Sequence, residues 1–241
     1  MTIVRRDILY LLLGVDKTSF RYFSSPAADP PIPFDAVAGI IRLSNKYNIP
    51  PIRRRSIQEF KRHIPCTLLD FDATFDVFPL PTPMLIKAIT LAHECNTLDI
   101  LSCAFYLLCQ LETEAFLDLL TLLPPQEMRN CFLGRERLGA IQETATCSFA
   151  LNPKPSPNCT DRDGCGHTGL AFLSTTISKR RHAGFCALEK VDVGKTLNDH
   201  FCRTCINDKK SAHKLGREKV WNELPGLLGL GTWEELREAQ N

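Results

Sequence analysis

The chain has 241 residues, 44% of them hydrophobic, and its 29 basic and 27 acidic residues leave a formal net charge of +2. A chain of this length and composition can bury a substantial core, which excludes general disorder. The nearly balanced charge excludes a global attraction to nucleic acid or to an anionic membrane, so any such binding would have to be local.

The N-terminal region begins with an apolar run at residues 8–15. We interpret the run as a core helix, because no small-residue cleavage site of a secretory signal follows it, and it is too short to cross a bilayer. The proline-rich residues 24–33 predict a loop. Since the chain has 11 cysteines but no export signal, we expect a reducing intracellular compartment, cytoplasmic or nuclear.

Residues 34–65 predict two short helices joined by a tight turn. Asp35 can cap the first helix, whose apolar face follows at helical spacing. The Asn-Ile-Pro-Pro sequence at 48–51 ends it, and Pro51 suits the first position of the next helix. The predicted apolar faces consist of Val37, Ile40, Ile41 and Ser44 in the first helix and of Ile57, Phe60 and Ile64, before Pro65, in the second.

The central part of the chain predicts further helices and no strand. Residues 65–83 read as a connector, and residues 84–111 as a helix broken near Asn96, where Thr97 can cap the second half. Cys95, Cys103 and Cys109 lie within this pattern and are predicted core residues. Residues 112–123 and 127–148 predict two more helices. The predicted buried positions of the second are Phe132, Leu133, Leu138 and Ile141.

The last third predicts a loop at residues 152–169 and then weaker helices at residues 170–177, 187–197 and 199–223. The last of these is predicted to end at Pro225. Trp221 and Trp233 are predicted to pack the C-terminal helices together, because tryptophan buries a large area; the alternative is an exposed anchor for a partner.

Residues 41–53, with the sequence IRLSNKYNIPPIR, resemble the closing helical pair of a BTB/POZ domain, in the variant of basidiomycete-type fungi. Residues 98–106 resemble the helix that such proteins carry next, and residues 221–233 resemble their ending. About thirty residues precede the pair, against the ~100 or more of a whole domain, so we expect the N-terminal strand-rich half to be lacking.

The fold expected from this resemblance is mainly α: a partial BTB/POZ helical hairpin followed by an α-helical extension. We expect a partial BTB/POZ region at 1–65, a helical extension at 66–150 and a cysteine-containing loop with C-terminal helices at 151–241. The resemblance implies a non-catalytic protein-interaction module, an adaptor or a homotypically associating protein, whose partner is a second copy or a cullin-type scaffold. Leu43, Tyr47 and Ile52 would contribute to that surface.

Cys159, Cys165, Cys202 and Cys205 are the candidate metal ligands, because zinc takes four soft or borderline donors and a two-residue gap lets one turn present two thiolates. Cys147, His167 and His200 are nearby in sequence. Such a structural zinc site would pin the loop onto the last helices. The alternative, which the commonness of lone Cys-x2-Cys pairs favours, is that Cys202 and Cys205 pack on one helical face.

Other motifs give weaker signals. Residues 164–169 match GxGxxG, but the prolines before them exclude the required strand. His182 and Cys186 could pair on one helical face, yet nothing orients them, and no motif elsewhere indicates an enzyme or a small-molecule substrate. The basic runs 53–55 and 179–181 fit solvated helix faces. A zinc-stabilised, nucleic-acid-associated, transcription-related protein remains the alternative function, and salt-dependent binding would distinguish it.

Overall fold

A computed structural model describes residues 32–74, 82–151, 154–165, 187–197 and 201–239. These ranges contain helices and no β-strand, which confirms the prediction of a mainly α protein. The predictions for residues 8–15 and 170–177, and those for His182, Cys186 and residues 179–181, lie outside the described residues. The helices are α1 (Phe34–Lys46), α2 (Pro50–His63), α3 (Leu68–Thr74), α4 (Thr82–Glu94), α5 (Asp99–Cys109), α6 (Thr113–Leu120), α7 (Pro125–Ile141), α8 (Ser148–Leu151), α9 (Val193–Leu197), α10 (Arg203–Leu227) and α11 (Trp233–Glu238), with a π-helical turn at Gln142–Thr146 between α7 and α8.

The chain divides into two compact units. The first comprises Met1–Ala104 with Arg237–Asn241, and the second comprises Phe105–Leu236. The boundary between the two units falls inside α5. The three-part organisation stays a prediction, and each unit is described by itself below.

Helices α1 and α2 of the first unit form a tightly connected pair. Phe34 packs edge to face on Phe60, with 5.8 Å between ring centroids. Asn48 takes a left-handed φ of 47°, and the amides of Asn48 and Ile49 donate to the carbonyls of Asn45 and Ser44 at 3.2 and 2.9 Å. This Schellman arrangement satisfies carbonyls at the end of α1 and reverses the chain. The predicted apolar face of α1 is buried at Val37, Ile40, Ile41 and Ser44.

Two details of this pair correct the sequence predictions. Helix α1 begins directly after Pro33 without a side-chain cap. Asp35 therefore lies inside the first turn, where its carboxylate pairs with Lys87 at 3.1 Å. Helix α2 begins at Pro50, so Pro50 and not Pro51 takes the first helical position.

The break between α4 and α5 falls where the sequence predicts it. Asn96 has a φ of 52°, and the amide of Thr97 donates to the Ala92 carbonyl at 2.8 Å. The prediction that Thr97 caps α5 is wrong, because its hydroxyl contacts Cys95 Sγ at 3.0 Å and the Cys95 carbonyl at 3.5 Å instead of accepting from an amide of α5. The core assignment of three cysteines is confirmed: Cys95, Cys103 and Cys109 are all buried.

In the second unit, α7 continues into the π-helical turn and packs beside α10. Phe132 was predicted to be buried but is 58% exposed, since it lies off the buried side of α7. The prediction that Pro225 ends the last long helix is also wrong, because α10 runs on to Leu227. The buried side of α7 consists of Cys131, Gly134, Leu138 and Ile141.

The two tryptophans pack against each other. Their rings stack with centroids 5.4 Å apart and planes 17° apart, and Trp233 Nε1 donates to the Trp221 carbonyl at 2.8 Å. Each tryptophan is 7% exposed. The packing interpretation is therefore confirmed, and the indole N–H of Trp233 fixes the start of α11 on α10.

Among the described helices, none combines the length and the apolar character that crossing a membrane requires.

Candidate metal centre

Two chain segments bring four cysteines together in the second unit. Cys159 lies in the loop 154–161, and Cys165 lies in the helical residues 162–165. Cys202 is the N-cap residue of α10, and Cys205 lies in its first turn. The four Sγ atoms lie within 4.8 Å of one another, and those of Cys159 and Cys202 are 3.6 Å apart. All four predicted ligands thus converge on one point.

The loop segment is shaped by local hydrogen bonds. The Cys159 amide donates to the Ser156 carbonyl at 3.0 Å. Asp161 then starts the helical turn, since its carboxylate accepts from the Gly164 amide at 3.0 Å and its carbonyl accepts from the Cys165 amide at 3.0 Å. An aspartate that bonds to amides beyond it favours such a turn. The turn places Cys165 six positions after Cys159 but close to it in space.

Cys202 and Cys205 lie on either side of the point where α10 begins. Cys202 has extended backbone angles, φ −66° and ψ 159°, so it precedes the helix. The two residues therefore do not both lie within the helix. Both also pack in or against the surrounding apolar core, so packing without metal remains the alternative. A residue at the N-cap and one in the first turn can instead direct both thiols toward the same side.

Backbone amides point at the two buried sulfurs. The Ser156 amide donates to Cys205 Sγ at 3.2 Å, and the Cys202 amide donates to Cys165 Sγ at 3.2 Å. Hydrogen bonds to sulfur favour the thiolate over the thiol. The loop and the helix are therefore linked through sulfur in both directions.

The pKa values of Cys165, Cys202 and Cys205 are shifted in different directions. The backbone amide of Cys205, followed by the amide and hydroxyl of Thr160, lowers the pKa of Cys202 to about 5. Burial raises the pKa of Cys205 to about 12 and also raises the pKa of Cys165. At neutral pH the site thus offers a Cys202 thiolate, and a bound cation would displace protons from its neighbours.

The geometry fits a tetrahedral metal ion. A Zn–S bond of about 2.3 Å implies sulfur–sulfur edges of about 3.8 Å in a regular tetrahedron. The observed 3.6 Å edge is close to that value, and every other edge is below 4.8 Å. Four thiolates in this geometry are a typical ligand set for zinc or an iron–sulfur centre. No disulfide links any of the cysteines that the structure describes.

A small apolar core surrounds the four-cysteine site. Cys165 and Cys205 are each 1% exposed within it, while Cys159 and Cys202 are half-buried at its edge. Two of the four cysteines are therefore shielded from solvent, and two are partly accessible. The buried members of this core are Phe149, Cys165, Val193, Leu197, Phe201, Cys205 and Ile206.

The other candidate residues lie elsewhere. Cys147 is half-buried and does not belong to the four-cysteine group. His167 and His200 lie outside the described residues. Of the predicted interaction residues in the first unit, Tyr47 is 50% exposed, and Leu43 and Ile52 are half-buried.

Sequence reasoning missed a buried polar row that continues from the site along α10. Lys209 Nζ donates to the Phe149 carbonyl at 2.9 Å, and Arg217 Nε donates to the Leu188 carbonyl at 2.9 Å. Between them, His213 Nδ1 lies 3.1 Å from the Thr146 carbonyl. The sequence signal was a basic residue at every fourth position between Cys205 and Trp221, namely at Lys209, His213 and Arg217. Positions four apart lie on one side of a helix.

Comparisons of the chain with protein-family models, with curated proteins and with solved structures found no match in any of the three. The functional proposal is therefore built from the geometry of this chain.

Proposed function

We propose that this chain is a non-catalytic protein-interaction module whose second unit is stabilised by a structural zinc ion. Cys159, Cys165, Cys202 and Cys205 bind the ion, which fastens the loop 154–165 to the start of α10. The observation that carries the proposal is the convergence of four thiols from two distant segments within 4.8 Å.

A structural role follows from the ligand set. Four protein thiolates fill every position of a tetrahedral zinc ion, whereas catalytic zinc keeps one position for water or substrate. The ion would join segments that are separated by more than thirty residues of sequence, so its binding energy would contribute directly to folding.

Metal titration of the full chain tests the zinc site. We expect metal-depleted protein to bind one equivalent of zinc or cadmium, with the thiolate-to-cadmium absorbance saturating at that ratio. Cys165→Ser and Cys205→Ser should weaken binding strongly, because a hydroxyl is a poor substitute for a thiolate. Cys147→Ser is the matched control, since this half-buried cysteine is outside the group. The site is rejected if the wild-type chain binds no metal, or if Cys147→Ser weakens metal binding as much as the other two substitutions do.

The proposed interaction role is the one that the BTB/POZ resemblance implies. Its support is that Tyr47 is 50% exposed at the turn between α1 and α2, with Leu43 and Ile52 half-buried beside it in sequence. Tyrosine is enriched at protein interfaces. The proposed occupant is a second copy of the chain, and a cullin-type scaffold is the alternative.

Light scattering over a range of concentrations tests self-association. We expect the mass to rise with concentration, and Tyr47→Asp to suppress the rise. Leu69→Asp is the control, because Leu69 is 79% exposed in the same unit and outside the predicted surface. A strict monomer at every concentration would contradict homotypic association.

A further inference from the structure

Lys209 is a buried cation beside the four-cysteine site. It is 7% exposed and follows Cys205 by one turn on α10, so both side chains lie on the same side of the helix. Its ammonium lies 2.9 Å from the Phe149 carbonyl and 4.9 Å from the centroid of the Phe201 ring. Because Phe149 and Phe201 belong to the core that contains Cys205, the ammonium lies in the wall of that core.

The position of Lys209 affects the charge balance of a metal-bound site. Four thiolates around one divalent ion carry a net charge of −2, and burying that charge in an apolar core is unfavourable. A cation nearby offsets the penalty, since charges interact strongly where water is excluded. Lys209 lies one helical turn from Cys205, and its ammonium contacts the Phe149 carbonyl and the Phe201 ring, which belong to the core that contains Cys165 and Cys205.

We infer that Lys209 is the internal counter-charge of the metal centre and stabilises the dianionic zinc complex in the core. The inference depends on the proposed zinc site and adds a positioning residue to it. Groups around a metal's ligands commonly change affinity by about 10- to 100-fold when they are altered. Replacing a purely structural lysine would destabilise the metal-free and the metal-bound protein equally. Replacing a counter-charge would destabilise the metal-bound protein more.

The first test compares zinc affinities by competition with a chromophoric chelator. Lys209→Met should weaken zinc binding by about 10- to 100-fold, and Lys209→Arg should keep most of the affinity because it keeps the charge. Lys214→Met is the matched control: it removes the same charge from the same helix, but its side chain is 78% exposed and pairs with Glu218 at the surface. The stability of the metal-free protein should change less than that of the zinc-bound protein.

The second test replaces zinc by iron and measures the reduction potential. Adding one electron to the ferric four-thiolate centre, of charge −1, gives the ferrous centre of charge −2. Removal of a nearby cation disfavours the more negative state, so Lys209→Met should lower the potential while Lys214→Met leaves it unchanged. Lys209→Gln provides the same measurement if the methionine variant folds poorly.

The outcomes separate the two proposals. If the wild-type chain binds no metal, the zinc site is rejected, and the role of Lys209 is rejected with it. If the wild-type chain binds one zinc but Lys209→Met and Lys209→Gln change neither the affinity nor the iron potential, the zinc site stands and the counter-charge is overturned.

Discussion

At the scale of single residues, His63 shows how burial and hydrogen bonding act on one imidazole. Its Nε2 lies 2.9 Å from the Ile32 carbonyl, and its ring packs edge to face on Phe34 with centroids 5.9 Å apart. Burial lowers the pKa of His63 and outweighs the opposing effect of the Ile32 hydrogen bond. The folded state therefore favours the neutral imidazole of His63 over the imidazolium.

This shift predicts a pH dependence of stability. On acidification below the ordinary histidine pKa of about 6.5, the unfolded chain takes up a proton at His63 before the folded chain does. The stability that the neutral imidazole contributes is present above that pH and is lost as the pH falls toward the folded pKa. Urea unfolding of wild type and His63→Gln should show their difference shrinking over this range. A difference that stays constant over this range would contradict the prediction.

Tyr106 provides a second test at this scale. Its hydroxyl accepts from the Leu188 amide at 3.0 Å, and both residues are fully buried. Tyr106→Phe should lower the free energy of unfolding by about 1–3 kcal/mol, because the amide loses its acceptor inside the core. Chemical denaturation measures the loss. Tyr47→Phe, at a half-exposed tyrosine, should have almost no effect, and equal effects of the two changes would contradict the prediction.

At the scale of elements, the second unit depends on how closely α10 approaches the π-helical turn. A Cβ at Gly216 would lie 2.5 Å from the Ala145 carbonyl oxygen and 2.9 Å from Thr146 Cα. Backbone atoms cannot move aside as a flexible side chain can, so only glycine permits this contact. On the same side of α10, His213 and Arg217 hold the segment 187–192: His213 Nε2 accepts from the Val191 amide at 3.1 Å, and Arg217 donates to the Leu188 carbonyl.

Gly216→Ala should therefore destabilise the protein by about 1–3 kcal/mol, as overpacking does, although alanine is the better helix former. Gly226→Ala in the same helix is the control. Its Cβ would meet its nearest neighbour, the Gly231 carbonyl oxygen, at an ordinary 3.7 Å, so it should be neutral or stabilising. Thermal unfolding of both variants measures the contrast, and a stabilising Gly216→Ala would refute the close packing.

At the scale of the whole molecule, we expect the two compact units to have different sources of stability. The first unit has an apolar helical core in which Ile41, Phe60 and Ile64 are fully buried. The second unit adds the four-cysteine site, whose two segments would lose their common anchor without metal. A ligand that binds only the folded state stabilises it by an amount that grows with the logarithm of the ligand concentration over Kd.

Chelation of zinc should therefore loosen the second unit selectively. Hydrogen exchange followed by mass spectrometry should show lost protection in residues 154–165 and in the first turns of α10, with α1 and α2 unchanged. Restoring zinc should restore protection. A uniform loss across both units, or no loss in α10, would contradict this assignment.

Local sequence patterns were sufficient to predict the structure where it depends on residues that are close together in the chain. The apolar face of α1, the proline turn before α2 and the break at Asn96 were all predicted, because helical periodicity and turn chemistry act over a few residues. The four cysteines were identified by residue type and spacing. The predictions for Phe132 and Pro225 failed because the partners of α7 and the continuation of α10 are set by packing, which outweighs local propensity.

The sequence by itself therefore determined a mainly helical chain, the first helical pair and a set of candidate metal-ligating thiols, since these follow from composition and short-range spacing. Only the tertiary structure decided that Cys159 and Cys165 meet Cys202 and Cys205, and that Lys209 lies in the wall of the same core. Those neighbours are some forty residues apart, and their approach depends on the packing of the loop against α10, which no local pattern encodes.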